Sequence, residues 1–517
     1  MVRSQAAQGQ KQLPRQLAND HTKLLESALP QDRYAFDRVI ASIRTNVSDW
    51  LWSNVLTKKM VNEALNSLSN YFLLRNGEFG LALIREIEKL KISRLTARNT
   101  GTRSASGVIR EQDLQLALLR ASLGTSAQHD TTLTRLKMTL PTGPLRPLLP
   151  SLSNPNISAI KPTQVKFNDV LLGTPTVMIY HLQWPLDLFL SPSDLQIYAD
   201  LFAYISALRK VQNRVLECWV WLSNAQRQRR KWTGLGEGGT DGDDEGHKGD
   251  KNARRVLLRC GWGLVRDMLW FLDTLLSYVM SDVVEVELGR LREKLRLDQQ
   301  SKAVGGGTRT RRNSHTNSTR PVSRDGTKAA VHEKAEGGSD QPSHQTKASK
   351  TKVADKQPSA TDLDFTGLRA AHSRFLHILL TASLLAHPAC ASTVRTIMEV
   401  CERFVAQVER WGGDILPGLL DEGSISLINT EARDNVGSMV RERWKVVHDV
   451  NEALVSLLET FYEQLSTASS TQVQANVTAE MTMNGMSSIM PSAFLLGIQD
   501  KANSSMLLRE KREGEGE

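Results

Sequence analysis

Residues 191–230 read SPSDLQIYADLFAYISALRKVQNRVLECWVWLSNAQRQRR, and this stretch decides the fold. Ser191 suits a helix N-cap, Pro192 suits the first helical position, and Asp194 sits where the positive end of a helix dipole favours a carboxylate. No breaker follows before Arg230. Tyr198, Leu201, Phe202, Ile205, Leu208, Val211, Val215, Trp219 and Leu222 recur at helical spacing and predict one apolar stripe. At 1.5 Å per residue the helix is roughly 60 Å long, so it reads as a spine. Side chains such as Phe202 and Trp219 each contribute about 1.5–3 kcal/mol when fully buried.

Trp184-Pro185-Leu186 opens the lead-in to this helix, and Pro185 biases Trp184 away from the helical region. Val177 to Leu182 is a short apolar run that reads as extended. Downstream, Gly234 to Lys251 is a Gly- and Asp-rich loop. A second long helix is expected from Asn252 to Leu297. A third helical block spans Asp362 to Trp411 and breaks near Pro388, and a fourth runs from Thr430 to Ser466. Upstream, residues 20–92 read as helices with a turn at Arg75-Asn76-Gly77-Glu78. Residues 93–110 are polar and read as a loop, and Glu111 to Leu123 reads as a short helix closed by Gly124. Alternating strands are not seen. The fold class is therefore all-α, with long antiparallel helices in bundles.

The expected organisation follows these breaks. Residues 1–19 are a flexible N-terminal segment, 20–140 a first helical part, and 141–165 a proline- and serine-rich connector read as a domain boundary. Residues 166–470 are the main helical domain, with 301–361 a low-complexity insertion expected to be disordered, and 471–517 a disordered tail.

The chain has 517 residues and a net charge of +9. Between Ser301 and Ala360 there are 12 Lys or Arg and 5 Asp or Glu, so +7 of that charge lies in the insertion. Basicity concentrated there argues against a nucleic-acid-binding face on the folded part. The most apolar long stretch, Gly261 to Met280, carries Arg266, Asp267 and Asp273, which reads as a core helix rather than a membrane span. The four cysteines lack the spacing of a zinc site or a redox pair.

Apparent chemical motifs dissolve on inspection. Gly234 to Gly239 resembles a nucleotide-binding glycine pattern, but it follows a helix and is crowded by Asp241, Asp243, Asp244 and Glu245, which would repel phosphate. The same acidic run lacks the spacing of a calcium loop. His372 and His377 are five apart, off the spacing of a helical metal pair. No catalytic residue, cofactor site or metal site is assigned. Arg227, Arg229, Arg230 and Lys231 form a basic cluster beside Trp232, read first as matching the helix dipole and second as a surface for an acidic partner.

Five islands, in order along the chain, carry a resemblance. They are Tyr71-Phe72-Leu73-Leu74-Arg75-Asn76-Gly77-Glu78-Phe79 and Leu114 with Ala117 to Ala121. Then come Trp184, Pro185, Leu186, Ser191, Pro192, Tyr198, Phe202, Val211 and Trp219; Trp262 to Tyr278 with Asp282, Val283 and Glu285; and Asp364-Phe365 with Leu368, His372, Phe375 and Leu376. The pattern resembles the gamma-tubulin complex component family. The Arg227 to Lys231 run and the Trp-rich helix after it are most similar to the component-four branch of filamentous fungi. Arg75 stands where the family has Gly.

The resemblance implies a non-catalytic scaffold of two helical halves, the N-terminal one packing laterally against other complex components and the C-terminal one binding gamma-tubulin. On this reading the chain starts near the end of the N-terminal half. It implies gamma-tubulin and other complex components as partners, with no cofactor, no nucleic acid and no membrane insertion, acting at a microtubule-organising centre such as a spindle pole. The motif residues are expected to be mostly structural. The candidate gamma-tubulin contacts are Arg209, Lys210 and Arg214, expected to be exposed, together with Arg266 and Arg374. The alternative reading is a generic helical tethering or adaptor scaffold.

Overall fold

Helix α6 (Pro192–Thr233) is the axis of the packing, and its environment accounts for its length. From Tyr198 to Val211 every residue except Asp200 and Arg209 is buried. A helix that is apolar on all sides is stable only inside a core. The computed structural model describes residues 15–27, 33–99, 108–141, 143–144, 166–233, 245–295, 365–417 and 430–479.

Before α6 come α1 (Arg15–Ser27), α2 (Arg33–Asn54), α3 (Lys58–Tyr71), α4 (Gly77–Asn99) and α5 (Glu111–Ser122), then strands β1 (Leu136–Thr139) and β2 (Val177–Tyr180). After it, α7 (Glu245–Ser277) continues through a π-helical turn, Tyr278–Glu285, into α8 (Val286–Lys294). The last helices are α9 (Phe365–Ala382), α10 (Pro388–Arg410) and α11 (Thr430–Ala479). Helix α6 packs on α7 and α10, α11 packs along α10 and α7, α8 meets α9, and α4 pairs with α5.

The predominantly helical architecture matches the expected class, with one addition. β1 and β2 form an antiparallel two-stranded ribbon in which Leu136 faces Tyr180 and Thr139 faces Val177. β2 falls in the apolar run read as extended. β1 has only four residues, too few for alternation to declare itself, and its pairing partner lies beyond the 141–165 connector.

Four boundaries move. Helix α1 begins at Arg15, inside the segment read as flexible. Helix α4 continues to Asn99, into the stretch read as loop, where Arg94 reaches Asp113 of α5 at 2.8 Å. Helix α7 begins at Glu245, inside the Gly- and Asp-rich stretch. Helix α11 runs through 471–479, residues read as the start of a tail. Residues 1–14, the 301–361 insertion and residues 480–517 lie outside the described residues.

Phe72 shows how the two sides of the connector meet. Its ring makes edge contacts with Tyr180 at 6.5 Å, Tyr198 at 6.1 Å and Phe202 at 6.3 Å. Residues on both sides of 141–165, read from sequence as belonging to separate domains, share this one hydrophobic core. Edge-on aromatic pairs add about 0.5–1.5 kcal/mol each beyond their burial.

Gly261 on α7 marks a close approach: a Cβ there would collide with Cδ1 of Ile415, which is 0% exposed. Gly263, two residues on, faces open space. Gly261→Ala should therefore destabilise the fold by about 1–3 kcal/mol through overpacking. Gly263→Ala should be neutral or stabilise by up to about 1 kcal/mol through helix propensity. Denaturant unfolding of the two variants, run side by side, checks both signs.

Candidate protein-binding site

The lead-in to α6 is built from local chemistry. The Trp184–Pro185 peptide is cis, and Leu186–Leu188 makes a short 3₁₀ turn that buries Leu186, Phe189 and Leu190. Ser191 and Asp194 cap α6 reciprocally. The Ser191 N–H donates to Asp194 Oδ2 at 2.9 Å, and the Asp194 N–H donates to Ser191 Oγ at 3.2 Å.

The motif residues divide by exposure. Pro185, Leu186, Tyr198, Phe202 and Val211 are buried, and Trp219 is half-buried with its ring edge-on to Trp262 at 4.4 Å. Trp184 differs, being 53% exposed although it opens the motif. Helical periodicity identifies buried positions within α6, but Trp184 lies before the helix, where no periodicity applies.

Tyr198 has a polar partner deep in the core. His372 of α9 is 0% exposed, with Nε2 3.2 Å from the Tyr198 hydroxyl and Nδ1 3.8 Å from Asp194 Oδ2. Burial pushes the His372 pKa down to about 4, against a smaller upward pull from Asp194. The imidazole is therefore neutral at ordinary pH. Tyr198 is pushed upward by burial, then by Asp194.

The five candidate cations occupy different environments. Lys210, expected to be exposed, is 3% exposed. Its Nζ lies 2.7 Å from Glu402 of α10 and donates to the Val170 carbonyl at 2.7 Å. It sits on the face of α6 that α10 covers, and an ammonium there needs a carboxylate beside it. Arg214, one turn on, donates twice to Glu409 of α10, at 2.6 and 2.9 Å. Arg209 is half-buried; its Nε is buried without a hydrogen-bond partner, and burial lowers its pKa. Arg266 on α7 is exposed, 3.5 Å from Asp267, and Arg374 on α9 is exposed.

The structure thus brings Lys210 and Arg214 together and leaves Arg266 and Arg374 on separate helices. Around the first two it assembles a charge network that the sequence did not reveal. Glu88 and Lys91 of α4 join Glu217 of α6 and Glu402 and Glu409 of α10. Burial raises the Glu88 pKa despite Lys210 and Arg214. Burial, then Lys210, pushes Lys91 down to about 8. The partners come from three helices distant in sequence, so spacing could not pair them.

Two more ion pairs tie loops to this body. Arg75 makes two 2.8 Å hydrogen bonds to Glu285 in the π-helical turn. Arg395 of α10 holds Asp169 at 2.7 and 3.1 Å. Among the described residues no group of three or more His, Cys, Asp or Glu could hold a metal ion, and no helix is long and apolar enough to cross a membrane.

Residues 62–487 match the family model described as the gamma tubulin complex component C-terminal region. The chain belongs to the gamma-tubulin complex component family. Gamma-tubulin complex component 4 of Arabidopsis thaliana is 24% identical over 260 residues, 48% of this chain and 32% of that protein. Gamma-tubulin complex component 4 of Homo sapiens is 24% identical over 265 residues, 50% of this chain and 33% of that protein. The homologue from Medicago truncatula is 24% identical over 195 residues, 36% of this chain and 25% of that protein. The chain therefore aligns with about one third or less of the length of these relatives. The family match begins in α3 and spans the 141–165 connector, as the shared core does. Arg75, which the resemblance set against a family Gly, is anchored here by Glu285.

His372 holds its proton less readily in the folded chain than in the unfolded one, where its pKa is near the ordinary 6.5. The stability it contributes is complete above about 6.5 and is lost as the pH falls towards 4. His372→Gln should flatten the fall in thermal midpoint across that window. Midpoints of both proteins from pH 7 to pH 4 test the sign. Lys210→Met strands Glu402 and the Val170 carbonyl and should cost about 3 kcal/mol. Adding Glu402→Gln should recover part of the loss, as a double-mutant cycle by denaturant unfolding would show.

Proposed function

We propose that the chain is a non-catalytic scaffold subunit that binds gamma-tubulin and supports microtubule nucleation. The observation that carries this reading is the family match over residues 62–487, laid on a body whose motif residues are largely core. The residues of this body are spent on rigidity: α6 is enclosed, its cap is reciprocal, and its charges are paired to α10. Such a body can hold a partner in a set orientation without performing chemistry.

On this reading the helices between residues 166 and 470 supply the gamma-tubulin surface, and α3 to α5 brace them through the common core. Arg266 and Arg374 are the contact candidates, because both are exposed and tubulins are acidic. Arg209 is a lesser candidate, being half-buried. Lys210 and Arg214 act indirectly, by fixing α6 against α10. The partners are gamma-tubulin and other complex components, and the place of action is the cytoplasmic cytoskeleton at microtubule-organising centres, spindle poles included.

The test is direct binding of the purified full chain to gamma-tubulin. Arg266→Glu and Arg374→Glu should each weaken binding several-fold, mainly by slowing association, with an effect that shrinks at high salt. Both variants should keep the thermal midpoint of the parent. A folded parent chain that does not bind gamma-tubulin overturns the proposal.

A further inference from the structure

A second polar feature lies on α3, apart from the charge network described above. A groove of about 360 Å³ runs beside this helix, within the size range of ligand sites. Its floor is a row of carboxamides, Asn62, Asn66 and Asn70, at successive i, i+4 positions. Asn62 and Asn70 are half-buried and make no side-chain hydrogen bond among the described residues. Asn66 Oδ1 accepts from Arg292 of α8 at 2.5 Å, which leaves its amide N–H groups to donate. Ser67, also lining the groove, is 2% exposed, and its Oγ has no hydrogen-bond partner. A buried hydroxyl left unpaired costs about 1–3 kcal/mol, so an occupant that pairs it is favoured.

The far wall is already satisfied. Asp130 accepts from the Tyr71 hydroxyl at 2.7 Å and from the Thr132 N–H and Oγ1 at 2.8 and 2.7 Å. It therefore shapes the groove rather than offering a ligand position. Lys59 and Glu63, both exposed, lie at its rim.

We propose that this groove binds an extended peptide segment of a partner protein through that segment's main chain. A carboxamide offers a donor and an acceptor on one planar group, the complement of a peptide N–H and C=O. Residues four apart on a helix are displaced by about 6 Å along its axis. Alternate residues of an extended strand are about 6.6 Å apart. Asn62, Asn66 and Asn70 can thus address every second peptide unit, spanning about five residues, and Ser67 supplies one further hydrogen bond. Main-chain recognition of this kind gives affinity, while the rim tunes side-chain preference. Glu63 and Asp130 balance Lys59 and the adjoining Arg292, so the groove suits a neutral segment and has no net positive charge to draw the phosphates of a nucleic acid. Among the described residues no aromatic side chain lines the groove for base stacking.

The test pans a phage-displayed library of random linear heptapeptides against the full chain and measures the enriched peptides by fluorescence anisotropy. Asn62→Ala and Asn70→Ala should each weaken binding about three- to tenfold. Ser67→Ala should weaken it while leaving the thermal midpoint unchanged or higher, which a purely structural serine would not do. N-methylation of alternate peptide amides should abolish binding in one register and spare it in the other. No enriched peptide, equal binding to the Asn62→Ala,Asn70→Ala double variant, or indifference to the register of methylation overturns the proposal.

Discussion

A charge enclosed in the middle of a helix needs an opposite charge or a carbonyl beside it, and that constraint on α6 organises much of the molecule, although the Tyr204 hydroxyl and Arg209 Nε stay buried without hydrogen-bond partners. Lys210 sits within the enclosed stretch, so α10 must present Glu402 and the 166–176 loop must present the Val170 carbonyl. Tyr198 sits near its start, so α9 must bring His372. Arg214 meets Glu409 at the next turn. Each pairing fixes one neighbouring helix in rotation and register, because a buried charge or hydroxyl tolerates little displacement from its partner. Apolar burial supplies most of the stability, and the paired polar groups select which apolar arrangement forms.

The same constraint shapes what the molecule offers to others. Lys210 and Arg214 of α6 are paired internally to α10, whereas Arg266 on α7 and Arg374 on α9 are exposed. A scaffold gains from this division. On the proposed role, interior pairs of this kind would resist deformation when a partner docks, and the exposed charges would steer the encounter. The Asn-lined groove on α3 follows a different logic, since its carboxamides are neutral and address the geometry of a main chain rather than a charge.

The tie between Phe72 and the aromatic residues of β2 and α6 changes how the chain is divided. A proline-rich connector between two helical stretches reads as a boundary, yet the aromatic side chains across it interlock. Proline-rich composition reports the local backbone, while domain division depends on contacts between residues far apart in sequence. The Arg75 and Glu285 pair makes the same point, joining a turn after α3 to the π-helical turn before α8.

The helices, their order and the motif that leads into α6 were legible in the residues alone. Periodicity, caps and breakers act over a few residues and are written locally: Ser191 and Asp194 announce a cap that the structure builds. Helix ends were less legible at Asn99, because Arg94 is held there by Asp113 on another helix. Strand β1 was not legible, because four residues gain their form only from a distant partner. For the candidate site, residue types were readable but exposure was not. Lys210 and Arg374 are both cations on predicted helices, and packing alone distinguishes them: α10 covers the first, and the second stays in water. The physical reason is that burial is a property of neighbours, and the neighbours of a spine helix come from every other part of the chain.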